Sequence, residues 1–158
     1  MDDLPAIHRI YNHEILTGTA TWDEEPWTME HRRAWFAEHD ASTPVLVAEC
    51  DGVVAGFAYL SKMSQKSGWR FTRENTIYID EAFRGRGIGK VLLTALLDEA
   101  RRIGMHLVVA AISSENAVSI ELHRGLGYSM VGTMNEAGLK FGRWLGATYM
   151  QRIIAGDE

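Results

Sequence analysis

The stretch Ile77-Tyr78-Ile79-Asp80-Glu81-Ala82-Phe83-Arg84-Gly85-Arg86-Gly87-Ile88-Gly89-Lys90 decides how the chain is read. A short apolar run with β-branched residues leads into a basic, glycine-rich turn, and an amphipathic helical pattern follows at once. Glycine has no Cβ, so Gly85, Gly87 and Gly89 at alternate positions let the backbone approach a ligand closely. The turn amides and the helix's unpaired first-turn donors face outward together, which suits a phosphate or pyrophosphate. Arg84, Arg86 and Lys90 add fixed positive charge at the same corner. Two other phosphate cradles fail on spacing. A P-loop needs glycine five residues before its Gly-Lys pair and Ser or Thr after it, where this chain has Arg84 and Val91. The dinucleotide pattern G-x-G-x-x-G matches at Gly85 and Gly87 and fails at Lys90. What remains is Arg-x-x-Gly-x-Gly.

The rest of the chain narrows the setting. At 158 residues it fits one domain over 1–158, large enough to bury a core without a disulfide or metal staple. The lone Cys50 belongs to no Cys/His metal spacing, so no metal is expected, and it reads as a small hydrophobe in a strand. No apolar run approaches the roughly 20 residues of a membrane span, and the N-terminus lacks a signal-peptide pattern. The expectation is a soluble, cytoplasmic protein. A net charge of −5 argues against nucleic acid as a partner. The local cluster Arg84–Lys90 inside an acidic chain suits a small polyanionic cofactor instead.

Periodicity and turn chemistry give the elements. Asp2-Asp3 then Pro5 starts a helix with Leu4, Ile7, Ile10 and Tyr11 on its apolar face. A second helix is predicted from Met29 to His39. Val45–Cys50 and Val53–Leu60 flank Asp51-Gly52, a hairpin signal, and Ser61–Arg70 is a polar excursion. A strand follows from Glu74 to Asp80. After the glycine turn, Val91, Leu92, Leu96, Ala100 and Ile103 recur at helical spacing and Gly104 closes the helix. His106–Ile112 reads as a central strand, Asn116–Leu126 as a helix, and Tyr128–Thr133 with Ala147–Ile154 as two closing antiparallel strands. The order αα-β-β-β-α-β-α-β-β is that of a mixed α/β sheet and not a doubly wound one.

From about Leu4 to Arg152 the chain resembles the GNAT superfamily of acyl-CoA N-acyltransferases, and within it the phosphinothricin and methionine-sulfoximine acetyltransferase group. The resemblance rests on separated pieces in order. These include Ile10-Tyr11-Asn12, Thr21-Trp22, Arg33-Ala34-Trp35-Phe36, Gly56-Phe57-Ala58-Tyr59, Glu74-Asn75-Thr76-Ile77-Tyr78-Ile79, Glu115-Asn116-Ala117, Leu122-His123 and Lys140-Phe141-Gly142-Arg143-Trp144, besides the glycine turn. It implies the GNAT fold: a mostly antiparallel mixed sheet flanked by helices. The family begins with a strand, for which this chain shows no counterpart before Leu4.

The resemblance further implies that Arg84, Gly85, Arg86, Gly87, Ile88, Gly89 and Lys90 bind the pyrophosphate of acetyl-CoA. Ile77, Tyr78 and Ile79 would hold pantetheine by strand-like pairing, with Ile79 N–H near the thioester carbonyl. Asn116 would bind the pantetheine arm near sulfur, cap a helix, or do both. Glu74 matches the group's proposed general base; a salt bridge to Arg70 or Arg73 is the structural alternative. His123 stands where many relatives place a tyrosine, and either protonates the departing thiolate or packs beside the cofactor. Trp22, Trp27 and Phe36 are candidates for the acceptor-pocket wall or for core. Trp69, Arg70 and Arg73 are candidate acceptor contacts, the arginines because a fork-shaped guanidinium suits a carboxylate. A strand reaching back to Arg70 is expected to carry both arginines on the face away from Glu74. The expected activity is direct acetyl transfer to the α-amine of a small amino-acid-like acceptor by a homodimer whose residues near Arg70–Arg73 approach the partner. Acetylation of a protein or peptide N-terminus, or CoA sensing without turnover, are the alternatives.

Overall fold

Pro5 lies in the first turn of helix α1 (Leu4–Thr17), where a missing N–H leaves no bond unmade, and Leu4, Ile7, Ile10, Tyr11 and Ile15 form its buried side. The computed structural model describes residues 2–154. Thr28 accepts the His31 amide and so starts α2 (Met29–Ala37). Strands β1 (Val45–Cys50) and β2 (Val53–Lys62) turn at Asp51 and Gly52, both with positive φ, as the sequence predicted for this hairpin. Then come β3 (Thr72–Ile79), α3 (Ile88–Arg102), β4 (Leu107–Ser113), α4 (Ala117–Gly125), β5 (Ser129–Lys140) and β6 (Arg143–Ile153). Among the described residues no strand precedes α1.

The sheet order is β1-β2-β3-β4-β6-β5, antiparallel throughout except between β3 and β4. Side-chain alternation gives the sheet two buried faces. On one, Leu92, Leu93 and Leu96 of α3 lie over β2 and β3 in one cluster with Ala58, Leu60, Val108, Ala110 and Ile112. On the other, Ile7, Ile10, Tyr11 and Ile15 of α1 pack on Phe57 and Tyr78. Arg32 holds α2 against this second layer. It is 1% exposed, and its guanidinium carbon lies 4.2–4.6 Å from the ring centroids of Tyr11, Trp27 and Trp35.

The closing hairpin is longer than its sequence suggested. β5 runs to Lys140 and β6 starts at Arg143, joined at Phe141 and Gly142, both with positive φ. Phenylalanine is a poor turn signal, and the ladder is interrupted between Met130 and Gly132 and between Met134 and Gly138, which hides the period-2 pattern. The end of β5 also fixes the α1–α2 connection. Buried Lys140 donates to the Thr21 carbonyl at 2.8 Å, and a Cβ on Gly138 would stand 2.5 Å from the Trp22 ring.

One irregularity positions the site. The parallel pairing of β3 with β4 covers only Thr72↔Leu107, Arg73↔Val108 and Glu74↔Val109. Past Glu74 the two strands part, and β3 keeps its β2 neighbour while its other edge opens.

Candidate active site

The opening between β3 and β4 gives β3 a free backbone edge. Asp80 N–H bonds the Ala55 carbonyl on the β2 side, and alternation then turns the main-chain groups of Ile77 and Ile79 towards the opening. The expected pantetheine strand therefore has its unpaired edge where a ligand can lie along it. A groove of about 550 Å³ runs from this edge to the glycine turn, lined by Ile77, Ile79, Arg84, Gly87, Lys90 and Asn116 among others.

The turn itself is built for close approach. Gly85 and Gly87 have φ of 74° and 79°, the left-handed region where a side chain is strained, and Gly87 is the residue from which α3 starts. The first intrahelical bonds return to the Gly87 carbonyl from Lys90 and Val91, so the amides of Ile88 and Gly89 are left for a ligand. Gly89 serves packing: a Cβ there would meet Leu122 Cδ2 at 3.2 Å. Arg84 is oriented by two bonds, Nη2 to Glu14 Oε2 at 3.0 Å and Nε to the Ile79 carbonyl at 3.2 Å. The same Glu14 accepts the Ala20 amide. Arg86 lies over the Phe83 ring, and it and Lys90 are exposed.

Glu74 sits at the fork where β3 and β4 separate. Ile77 and Ile79 pack with the α3 layer and Tyr78 with the α1 layer, so alternation places Glu74 and Thr76 on the α1 face. The carboxylate is half-buried and, among the described residues, has no hydrogen-bond or ion-pair partner. Burial alone pushes its pKa up from the ordinary carboxylate range. The salt-bridge alternative is not what the geometry shows, because both arginines are engaged elsewhere.

Arg73 is 5% exposed and gives three hydrogen bonds to backbone carbonyls, those of Ser42, Arg70 and Thr72. It therefore braces the loop before β1, with Nε and Nη1 committed to backbone carbonyls. Arg70 precedes β3, which starts at Thr72, and its exposed guanidinium stacks over Phe71. The expectation that both arginines share one strand face fails on the two-residue period itself: residues three apart point to opposite faces, so only Arg73 lies on the face away from Glu74, and Arg70 moreover precedes the strand. Trp69 is 45% exposed in a short turn beside them. Trp27 packs in the layer under α1, its ring edge-on to Tyr11 at 4.9 Å and stacked on His31 at 3.9 Å, which is a core position. Phe36 is half-buried beside Trp35.

Asn116 starts α4, its Oδ1 accepting the Ser119 amide at 3.0 Å, while the residue also borders the groove. Both of its expected roles are geometrically compatible. His123 is buried inside a polar network that the sequence did not reveal. Tyr128 Oη donates to Asn75 Oδ1 at 2.9 Å, which leaves Asn75 Nδ2 to donate to His123 Nε2 at 3.0 Å. His123 Nδ1 then donates to the Ser119 carbonyl at 2.7 Å. This pattern is that of a neutral imidazole whose Nε2 carries no proton, and burial lowers its pKa below the usual histidine value. In this arrangement the ring holds Asn75 and α4 in place and offers no proton to a thiolate.

A cavity of about 50 Å³ passes through the fork, with Asn75, Ser119 and His123 on one side and Ala20 and Ser113 also lining it. An anion cradle at a helix start, a strand with one open edge, and a half-buried carboxylate at the fork together define an acyl-CoA-dependent acyltransferase of the GNAT type. Comparison with known proteins agrees: the acetyltransferase (GNAT) family model matches residues 7–128, and the chain belongs to that family. It is 44% identical over 150 residues to the L-methionine sulfoximine/L-methionine sulfone acetyltransferase of Salmonella typhimurium, covering 94% of this chain and 88% of that protein. It is 40% identical to the phosphinothricin N-acetyltransferase of Alcaligenes faecalis, covering 99% of this chain and 81% of that protein. Among solved structures, a phosphinothricin acetyltransferase from Sinorhizobium meliloti in complex with acetyl-CoA superposes with a TM-score of 0.93 at 36% identity. That match covers 96% of this chain and 83% of that one.

Proposed function

We propose that the protein transfers the acetyl group of acetyl-CoA to the α-amine of a small amino-acid-like acceptor. The observation that carries this reading is Glu74: a half-buried carboxylate with raised pKa and no partner among the described residues, at the point where the open edge of β3 begins. An ammonium must lose a proton before it can attack, and a base with a pKa moved towards the working pH is suited to take it. The relatives named for methionine sulfoximine, methionine sulfone and phosphinothricin supply the acceptor class.

Residues of this chain divide the work. The amides of Ile88 and Gly89, with Arg84, Arg86 and Lys90, hold the pyrophosphate. Ile77 and Ile79 pair with the pantetheine arm, and Asn116 meets it near sulfur. A fixed N–H on the open edge of β3 meets the negative charge that develops on the thioester oxygen, and that of Ile77 stands nearer the fork and Glu74 than that of Ile79, which lies roughly 16 Å from Glu74 along the strand. Glu74 accepts the ammonium proton directly or through water, the amine nitrogen bonds the acyl carbon, and the carbon–sulfur bond breaks to release CoA thiol. No cysteine lies at the fork to carry an acyl group, so transfer is direct.

We further propose that the active form is a homodimer. Large apolar side chains are exposed at Trp69 and Phe71 before and at the start of β3 and along the outer hairpin at Met130, Val131, Met134 and Trp144, and this supports the reading. Light scattering that gives a monomer at tens of micromolar removes this part. No described helix is long and apolar enough to cross a membrane, in line with the proposed cytoplasmic setting. The activity is tested by acceptor-dependent release of free thiol across amino-acid analogues and short peptides. Turnover confined to amino acids supports it, and turnover confined to peptides overturns it.

A further inference from the structure

Glu14, in the last turn of α1, is a carboxylate only 7% exposed, and its two oxygens serve different ends of the groove. Oε2 accepts Nη2 of Arg84, in the pyrophosphate turn, at 3.0 Å. Oε1 accepts the amide of Ala20, in the connection between α1 and α2, at 3.0 Å. That connection passes so close over the carboxylate that a Cβ on Gly18 would stand 1.7 Å from Oε1. One residue beyond Ala20, Lys140 holds the Thr21 carbonyl, and the Thr21 hydroxyl bonds Tyr11. Ala20 lines both the groove and the cavity through the fork, so it forms part of the wall beside the sulfur end of the cofactor.

Arg84 gives Nε to the Ile79 carbonyl and Nη2 to Glu14, while among the described residues its Nη1 has no partner. The side chain is 53% exposed, so Nη1 remains for a phosphate oxygen. A carboxylate is planar and rigid. An arginine fixed on its far side by phosphate therefore holds Oε2, and with it the direction of Oε1 towards Ala20. Both bonds have an ionised partner and belong to the stronger class.

We propose that Glu14 is a positioning residue that ties occupancy of the pyrophosphate turn to the wall of the fork, so that the phosphate end of acetyl-CoA raises the rate of transfer as well as binding. This rests on the cofactor placement and the acetyl transfer given above. Binding energy from a remote part of a substrate raises kcat only where the protein carries it to the reacting end. Glu14 touches both ends.

The test crosses a change of residue with a change of donor. Wild-type protein and Glu14→Gln are compared at saturating acetyl-CoA and at saturating S-acetyl-pantetheine, which keeps the thioester and lacks the pyrophosphate, with methionine sulfone as acceptor. Gln keeps the shape of Glu but exchanges one oxygen for an NH2 group, so it retains one of the two bonds and loses the other. Glu14→Gln is expected to lower kcat at least fivefold with acetyl-CoA and less than twofold with S-acetyl-pantetheine. A purely structural role lowers both alike, together with Tm, and overturns the proposal. A change confined to the KM for acetyl-CoA overturns it too. Hydrogen exchange at the Ala20 amide needs neither acceptor nor turnover. CoA should slow it at least fivefold in the wild type, whereas pantetheine should not, and in Glu14→Gln neither should. Wild-type exchange that CoA leaves unchanged or speeds up also overturns the proposal. If no amino acid is acetylated, the acceptor reading fails, and the exchange measurement alone decides this inference.

Discussion

Glu74→Gln separates the base role from any structural one, because the two predict opposite signs for stability. The carboxylate is half-buried without a partner among the described residues, and burial raises its pKa. In the window between the unfolded-state pKa, about 4.3 for glutamate, and the higher folded-state value, the folded protein binds more protons than the unfolded one. Stability contributed by the protonated form is therefore present at low pH and falls as pH rises through the folded pKa. Gln removes that loss, so Glu74→Gln should match or exceed wild-type Tm at neutral pH. Activity should move the other way. A positioned base is worth roughly 10²–10⁴-fold. Without it only the neutral amine reacts, and the α-amine of a free amino acid, whose carboxylate holds its pKa above the value of about 8 of a peptide N-terminus, is a small fraction neutral that rises about tenfold per pH unit. The deficit in kcat/KM should thus shrink about a hundredfold between pH 6 and pH 8. The assay is thiol release against pH at saturating acetyl-CoA, with thermal unfolding on the same samples. Activity within a few-fold of wild type near pH 6 refutes the base role, and so does a pH-independent deficit accompanied by lower Tm.

Gly87→Val forces a β-branched residue to φ near 79°, a strain of about 1–2 kcal/mol that the turn relieves by moving. Acetyl-CoA KM should rise roughly five- to thirtyfold while acceptor KM stays put, and equal changes in both would contradict the cradle assignment. Arg73→Ala should lower Tm by freeing three carbonyls while leaving acceptor KM within about threefold, as kinetics beside calorimetry can show. His123, with its folded pKa depressed by burial, supports stability that is complete above the usual histidine value of about 6.5 and is lost as pH falls through the window below it. His123→Gln should flatten that acid limb of the Tm–pH curve, and an unchanged limb would show that the ring is not the titrating group.

The order of elements and the glycine turn before α3 were legible because they depend on local rules: hairpin chemistry at Asp51-Gly52, helical spacing after Gly89, glycines where φ is positive. Features set by tertiary contacts were not. Nothing local in Phe141-Gly142 announces a tight turn, so the closing strands came out short by sequence. The Asn75–His123–Tyr128 network joins positions up to 53 residues apart, with no periodic signature. Glu14, which orients Arg84 across 70 residues, is equally silent in the sequence. Arg73 differs for a related reason. Composition marks a guanidinium as a carboxylate binder, and only the fold shows that Arg73 gives its Nε and Nη1 to backbone carbonyls.

The central claim, direct acetyl transfer to an amino-acid α-amine with Glu74 as base, is tested most directly by mass spectrometry of both protein and product. Wild-type protein and Glu74→Gln are mixed with isotopically labelled acetyl-CoA, with and without methionine sulfone, near pH 6. The account predicts labelled N-acetyl methionine sulfone from the wild type, a much slower yield from Glu74→Gln, and no acetyl group on the protein in either case. A labelled acyl-protein that forms without acceptor and is consumed when acceptor is added would contradict it.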